Sequence, residues 1–387
     1  MILPALALAA MPSPAPSGFD RDRLNLIPAQ MREAVARGTV AGTVVLVRER
    51  GKTVLVDAQG LARLEPPAPM RRDTIFQVMS MTKPIVAMAA TILAERGRLR
   101  LDDRVDRWLP AFRRLTVRRA DGTLAPATKA PTIRQLMNHT AGFGGNDPAG
   151  IDDDTKRKME LGPYVDRLPE APLDTEPGER VSYSGLGFST LGRIVELASG
   201  QPLTRFMEAE IFAPLGMRDT SFFLPEAKRP RAAWLAVPGE SGRLVQSEDP
   251  YREGARLANP AGGLYSTADD MGRLLDVLIF DGRPVGSRRI LSPAGARAMR
   301  TLTTDGLLPG GTDSQGYGLG FSVVRNAGGQ SSLKPVGAFG HTGAFGTEFW
   351  GDAERGVAAV FLAQGFEGTT EARKSFNTMV NAAYVGR

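Results

Sequence analysis

Apolar residues recur every three or four positions in several segments of the chain, a spacing that predicts amphipathic helices. The most regular segment places Ile85, Met88, Ile92 and Leu93 on one face, and Gly97 ends it. Helices are predicted over residues 20–37, 80–96, 132–139, 185–199, 202–212, 266–280 and 370–383. Most of the helical pattern therefore lies in the middle of the chain.

Runs rich in β-branched residues lie towards the two ends and predict strands. Two N-terminal runs, 42–50 and 52–60, are joined at Arg50-Gly51, which indicates a hairpin. The C-terminal runs cover residues 318–325, 344–350 and 356–364. This order predicts an α+β fold, an α/β sandwich. One antiparallel sheet is built from N- and C-terminal segments and flanked by helices, with an inserted all-helical region.

We expect the chain to divide into three parts. Residues 20–79 and 226–387 form a mixed α/β domain, residues 80–225 form a helical domain, and the active site lies between the two. Residues 1–19 are a leader or a disordered tail, since an apolar run there contains a small-x-small pattern but no Lys or Arg precedes it. The compartment of this soluble, bacterial-type protein, cytoplasmic or periplasmic/secreted, stays open with a slight preference for export.

Composition excludes several classes of site. The net charge is +6, but the densest arginine group, 113–119, lacks interleaved aromatics and is expected to be a solvated loop, so no nucleic-acid partner is expected. The absence of cysteine excludes disulfides, thiolate metal sites and cysteine catalysis. With His139 and His341 as the only histidines, we expect no metal site built on several imidazoles. We also expect no organic cofactor. No apolar run is long enough for stable membrane insertion.

The candidate nucleophile lies where a strand-like segment, 76–79, enters the most regular predicted helix. Ser80 and Lys83 stand three residues apart, so their side chains share one helix face, with Cβ atoms roughly 5–6 Å apart. A hydroxyl there can give its proton to a neutral amine, which activates a serine without histidine. Pro84 would crowd the carbonyl four residues back in a helix interior, so Ser80 belongs at the helix start.

That position favours the chemistry, because unpaired N–H groups and the helix dipole stabilise an anion and disfavour an ammonium on Lys83. A simple N-cap serine and a solvated lysine remain the alternative on these residues alone. A second S-x-x-K occurs at 331–334, in the Gly-rich stretch 327–337, where no helix would hold its side chains together. We therefore expect Lys334→Ala to be nearly silent, and Ser80→Ala or Lys83→Ala to remove nearly all activity.

Two further stretches complete the candidate site. Tyr183 lies in a turn before a helix, at 181–185 (VSYSG), and a cationic lysine beside it would favour its phenolate as a base or proton shuttle. The stretch 339–344 (FGHTGA) opens a strand, where glycines admit a substrate and an exposed N–H can join that of Ser80 in an oxyanion hole. The alternatives are an anchoring tyrosine and a structural histidine.

Together these stretches resemble the serine β-lactamase-like and penicillin-binding superfamily. The resemblance is carried by 80–83 (SMTK), 183–185 (YSG) and 341–343 (HTG), with accessory stretches at 135–143 and 262–270, and covers about residues 20–387. Within that superfamily, SMTK is most similar to the family VIII carboxylesterases, relatives of class C β-lactamases. The resemblance implies a β-lactamase/transpeptidase-like fold.

It also implies residue roles. Ser80 would be the acylated nucleophile, Lys83 and Tyr183 would share the base and acid work, and the N–H groups of Ser80 and Ala344 would form the oxyanion hole. His139 would be structural and hold a loop beneath the site. The residues implied to bind substrate are His341, Thr342 and Gly343.

Two departures from class C β-lactamases bear on the substrate. Those enzymes carry Tyr-x-Asn and Lys-Thr-Gly, whereas Gly185 and His341 stand here. The asparagine amide that is missing here could hold the acyl-amide of a β-lactam. The lysine cation that is missing here could hold the β-lactam carboxylate. Simple esters have neither group. We predict a serine carboxylesterase that hydrolyses short-chain carboxylic esters through an acyl-Ser80 intermediate, with β-lactam hydrolysis left open as a side activity.

Two alternatives stay open. One is a β-lactamase or D-amino-acid peptidase/amidase with the same site, and the other is a non-catalytic binding or scaffold protein of the same fold. The chain has no G-x-S-x-G, so an α/β-hydrolase lacks its nucleophile elbow. The sequence predicts a small-molecule ester as partner and leaves the oligomeric state unknown.

Overall fold

The computed structural model describes residues 17–247, 253–284, 286, 288–307, 314–328, 332–366 and 368–386. The strands are β1 (Gly42–Glu49), β2 (Lys52–Arg63), β3 (Ala68–Pro69), β4 (Phe76–Gln77), β5 (Thr116–Arg118), β6 (Leu124–Pro126), β7 (Ala236–Pro238), β8 (Leu244–Gln246), β9 (Tyr265–Ser266), β10 (Gln315–Tyr317), β11 (Ser322–Val324), β12 (Phe339–Gly343), β13 (Thr347–Asp352) and β14 (Val357–Ala363). Most of the predicted leader and Ser331 of the second S-x-x-K lie outside the described residues.

The helices follow the predicted distribution along the chain. They are α1 (Arg21–Leu24), α2 (Ile27–Ala36), α3 (Thr82–Glu95), α4 (Ile133–Met137), α5 (Asp153–Lys158), α6 (Leu161–Arg167), α7 (Gly185–Ser199), α8 (Leu203–Met207), α9 (Ala213–Leu215), α10 (Ala268–Ile279), α11 (Pro293–Arg300) and α12 (Gly368–Ala383). A π-helical turn, Glu208–Phe212, joins α8 to α9. No helix in the described ranges is long and apolar enough to cross a membrane.

One antiparallel sheet of eight strands joins the two ends of the chain, in the order β10-β11-β12-β13-β14-β1-β2-β3. Successive side chains of β1 point to opposite faces, so Val44 and Leu46 enter one apolar cluster while Val45 and Val47 enter another. The first cluster also contains residues of α3, α7 and α10, and the second contains residues of α2 and α12. Helices therefore cover both faces, and the predicted α+β fold is confirmed.

The predicted N-terminal hairpin is present. Arg50 and Gly51 both have positive φ, 50° and 76°, which matches the right-handed twist of paired strands in a two-residue turn. The predicted helix over 20–37 is wrong in its continuity, because α1 and α2 are separate. Pro28 occupies the first turn of α2, and its ring would clash with a carbonyl four residues earlier in a continuous helix.

Two predicted C-terminal strands are also wrong at their boundaries. Gly320, with φ of 88°, turns the chain between β10 and β11 inside the predicted strand 318–325. Likewise β12 ends at Gly343, and Gly346, with φ of 81°, reverses the chain before β13. Period-two apolarity does not separate one long strand from two short paired ones when the turn is made by glycine.

The division into a mixed and a helical domain stays a prediction. One continuous apolar cluster includes Leu46 of the sheet and Leu191 of the helical region. The helix α3 lies against α7 and begins beside β12, so the start of α3 faces the junction of the two regions.

Candidate active site

Ser80 lies in a tight turn between β4 and α3. The residues Met79–Met81 form a single 3₁₀ turn, and α3 begins directly after it, so Ser80 precedes the helix as Pro84 predicts. Met79 has φ of 49°, a left-handed conformation that a non-glycine residue adopts only when its surroundings impose it. This turn leaves Ser80 partly exposed to solvent while Met81 is buried.

Lys83 is buried directly behind the serine. Its Nζ lies 2.9 Å from Oγ of Ser80 and donates a hydrogen bond of 2.7 Å to the carbonyl oxygen of Ala261. Burial lowers the pKa of Lys83 to about 7, with a smaller contribution from the charge of Lys156. A substantial fraction of the amine is therefore neutral near pH 7 and able to accept the proton of Ser80.

The carbonyl of Ala261 belongs to a turn that sequence reasoning did not connect with the site. The side chain of Asn259 accepts a hydrogen bond from the N–H of Ala261 at 2.9 Å, and the carbonyl of Asn259 accepts from Gly263 at 2.8 Å. The stretch 259–263 (NPAGG) carried a turn signal, but a backbone acceptor has no side-chain signature. The carbonyl of this turn accepts one N–H of Lys83, and the same nitrogen lies within hydrogen-bond distance of Ser80.

Tyr183 lies on the open side of the same pair. The Nζ of Lys83 is 4.8 Å from its ring centroid. Burial raises the pKa of Tyr183, and a side-chain hydrogen bond with Ser80 only partly offsets this effect. Burial therefore opposes the predicted phenolate and favours the protonated phenol at neutral pH.

His139 supports Tyr183 from beneath. Its ring centroid lies 4.5 Å from that of Tyr183, its Nδ1 accepts the N–H of Ser184 at 3.2 Å, and its carbonyl accepts the N–H of Ser182 at 2.7 Å. Burial holds the pKa of His139 well below its usual value, and the charges of Lys83 and His341 lower it further. The imidazole is therefore neutral, with its proton on Nε2, in the supporting position that the resemblance implied.

The strand β12 forms the opposite wall. Burial lowers the pKa of His341 to about 3, with a further lowering by Lys83, and its Nδ1–H donates to the carbonyl of Thr342 at 2.7 Å. A Cβ atom built on Gly343 would lie 2.4 Å from the carbonyl oxygen of Val78, so only glycine fits between this strand and the Ser80 turn. Ala344 lies beyond the strand, exposed in the turn before β13, and does not begin a strand as predicted.

A cavity of about 400 Å³ opens beside Ser80. Its wall brings together most of the sequence-predicted site residues: Ser80, Tyr183, His341, Thr342, Gly343 and Ala344. Lys83 is reached through Ser80, to which it is hydrogen-bonded. The same wall includes four groups that sequence reasoning missed: Gln315, Tyr317, Glu348 and Trp350.

Lys334 also lines this cavity, although the described residues of the second S-x-x-K lie in no helix. This residue is 7% exposed and forms an ion pair with the buried carboxylate of Glu348. Burial by itself raises the pKa of Glu348, but the charges of Lys334 and Arg373 outweigh it and hold that pKa below its usual value. The second S-x-x-K thus contributes a lysine to the cavity from the loop before β12.

Residues 27–383 match the Beta-lactamase family, which covers nearly the whole chain. The chain belongs to the Beta-lactamase family. Protein Rv1367c of Mycobacterium tuberculosis (strain ATCC 25618 / H37Rv) is 33% identical over 364 residues, 87% of this chain and 88% of that protein. Esterase EstB of Burkholderia gladioli is 32% identical over 383 residues, 90% of this chain and 92% of the esterase.

Solved structures agree with this assignment. EstCE1, described as a hydrolase with promiscuous acyltransferase activity, is 26% identical with a TM-score of 0.78 over 95% of this chain and 99% of its own. Simvastatin synthase from Aspergillus terreus, in a mutant form, has the same TM-score of 0.78 at 20% identity over 94% of this chain and 95% of its own, and shows the shared fold. The resemblance to the serine β-lactamase and penicillin-binding superfamily, near its esterases, is confirmed.

Proposed function

We propose that this protein is a serine carboxylesterase that hydrolyses short-chain carboxylic esters through an acyl-Ser80 intermediate. The observation that carries the proposal is the buried Lys83, whose Nζ lies 2.9 Å from Oγ of Ser80 and whose pKa is lowered to about 7. The similarity to Esterase EstB and to EstCE1 supports ester hydrolysis within the family.

The reaction begins when the neutral amine of Lys83 takes the proton of Ser80 and Oγ attacks the ester carbonyl carbon. The N–H groups of Ser80 and Ala344 stabilise the resulting oxyanion. Tyr183, whose raised pKa keeps it protonated, passes its proton to the departing alkoxide and recovers one from Lys83. Water then attacks the acyl-enzyme by the reverse sequence of proton transfers and releases the carboxylic acid.

Esters are the preferred substrate class for two reasons at the wall of the site. Gly185 stands where an asparagine would hold the amide of a β-lactam, and His341, with a pKa lowered to about 3, is uncharged at neutral pH. The groups that bind the substrate are His341, Thr342 and Gly343. The proposed reaction uses no cofactor, and we propose that its site lies between the mixed and helical parts of the chain.

A β-lactamase or D-amino-acid peptidase activity is the second candidate. It is favoured by the similarity to Penicillin-binding protein 4 of Amycolatopsis lactamdurans, which is 31% identical over 278 residues, 72% of this chain and 68% of that protein. Lys334 also brings a cation into the cavity that the sequence argument had not provided. A catalytically silent scaffold is the third candidate.

One experiment separates the three. The protein is treated with a fluorophosphonate probe, and 4-nitrophenyl butyrate and a chromogenic cephalosporin are assayed side by side. We expect labelling of Ser80, located by mass spectrometry, and a higher kcat/KM for the butyrate. A dominant cephalosporin rate would support the second candidate, and an unlabelled, folded protein would support the scaffold.

A further inference from the structure

The cavity that contains Ser80 also contains a buried cation that the proposed mechanism does not use. Lys334 comes from the loop before β12, and its Nζ lies 5.7 Å from the ring centroid of Trp350. The lysine and its partner Glu348 both line the cavity, with 7% and 6% of their surfaces exposed. Burying a charged pair removes both ions from water, which is unfavourable unless further contacts compensate.

The loop is held so that this lysine points inwards. Leu333, the residue before it, has φ of 55° and is exposed, while Lys334 is buried. The carbonyl of Ser332 accepts a hydrogen bond of 3.4 Å from Asn381 of α12, and the carbonyl of Pro335 accepts the N–H of Ala338 at 3.1 Å. The ammonium of Lys334 is therefore preorganised by a hydrogen-bonded turn.

Hydrogen-bond capacity distinguishes the two members of the pair. Glu348 has three cationic or donor partners: Lys334, the amide of Asn377 at 2.6 Å, and Arg373 at 3.6 Å. An ammonium has three N–H donors. Within the described part of the chain, Lys334 donates to Glu348 and to no other acceptor. Both carboxylate oxygens have partners, whereas the ammonium keeps two donors for a ligand in the cavity.

Charge points to the same kind of ligand. Lys334 and Arg373 are positive and Glu348 is negative, so the cluster carries one net positive charge beside a neutral His341. A bound carboxylate would neutralise the cluster and accept the free N–H donors in charge-assisted hydrogen bonds. A neutral alkyl group would leave both the charge and the donors unsatisfied.

We infer that Lys334 is a specificity-determining residue that binds a carboxylate on the ester substrate, so the preferred substrates are half-esters of dicarboxylic acids or O-acylated hydroxy acids with a free carboxylate. The inference rests on the proposed esterase function and names its substrate class. The two sources of the carboxylate, the acyl part and the alcohol part, are distinguished by the substrates of the test.

The test compares matched esters in a pH-stat. Ethyl hydrogen succinate against ethyl butyrate places the carboxylate in the acyl part, and 2-carboxyethyl butyrate against propyl butyrate places it in the alcohol part. The variant is Lys334→Met, which keeps an unbranched side chain without the charge and leaves Glu348 paired with Arg373 and Asn377. The control is Lys228→Met, which removes an ion pair with Asp219 outside the cavity.

We expect the wild type to prefer one carboxylate-bearing ester over its neutral match, and Lys334→Met to lower kcat/KM for that ester roughly tenfold or more. The neutral esters and the Lys228→Met control should change little, and the melting temperature reports whether the fold is retained. An equal loss of kcat/KM on charged and neutral esters in Lys334→Met would overturn the inference, and so would an unchanged preference for the charged ester. Neither result would contradict the proposed esterase function. Absence of hydrolysis of all four esters by the wild type would instead overturn the proposed function.

Discussion

The Nζ of Lys83 and the carbonyl oxygen of Ala261 are joined by a hydrogen bond of 2.7 Å, although the two residues are 178 positions apart. This bond fixes the position of the amine, and the turn that presents the carbonyl is closed by the side chain of Asn259. The position of the proposed base therefore depends on a residue that does not contact it.

Replacing Asn259 with alanine should loosen that turn without touching the reacting atoms. We expect kcat for 4-nitrophenyl butyrate to fall about tenfold, because a small displacement of the base weakens proton transfer. Water admitted around Lys83 should also raise its pKa and move the acidic limb of the pH profile upwards. Asn25→Ala, at an exposed position after α1, is the control. An unchanged pH profile together with a lowered rate would indicate a purely structural role.

The activity should depend on pH through Lys83. Its folded-state pKa is lowered to about 7, so the amine is protonated and inactive as a base below that pH and neutral above it. We expect kcat/KM for 4-nitrophenyl butyrate to rise with pH and level off above about pH 7. The two histidines do not produce this limb, since burial lowers the pKa of each. A limb near ~10, the range of a solvated lysine, would contradict the assignment.

Removal of the Tyr183 hydroxyl should impair proton transfer to the leaving group. For Tyr183→Phe we expect kcat to fall by about 10²–10⁴-fold, while Ser80 still reacts with a fluorophosphonate probe at a reduced rate. Tyr384→Phe is the control, because that ring lies against Phe19, away from the site. If Tyr183→Phe retained the wild-type kcat, the proton would have to reach the alkoxide by another group.

Gly343 should not tolerate any side chain. A Cβ there would lie 2.2 Å from Oγ1 of Thr347 and 2.4 Å from the carbonyl oxygen of Val78, so β12 or the Ser80 turn must move. We expect Gly343→Ala to lower kcat/KM by about 100-fold or more, and the melting temperature also to fall. Gly145→Ala, where a Cβ would meet nothing within 4 Å, is the control. Full activity in Gly343→Ala would mean that this contact does not position the serine.

The sequence predicted those features that depend on local pattern. Helix α7 begins and ends as expected, because Ser184 caps its start and Gly200 adopts the left-handed conformation that ends it. The placement of Ser80 before α3 followed from Pro84 in the same way. These signals are contained in a few neighbouring residues, so one chain is enough to read them.

The missed features depend on contacts between distant residues. The acceptor at Ala261 is a backbone atom, which any residue type supplies, so its identity carries no signal. Lys334 could be placed only after the pairing of β12 with β13 was known, since that pairing brings Glu348 beneath the loop. Likewise, the protonated state of Tyr183 follows from burial, which composition around a single tyrosine does not reveal.

The position of β1 between β2 and β14 affects how the chain folds during synthesis. During synthesis, the hairpin of β1 and β2 leaves the ribosome long before β14, the other neighbour of β1, which ends at Ala363. The edge of β1 stays unpaired over that interval, and such edges invite pairing with other chains. Because β12, which packs against the Ser80 turn, belongs to the same late segment, hydrolytic competence should be among the last properties acquired by a newly made chain.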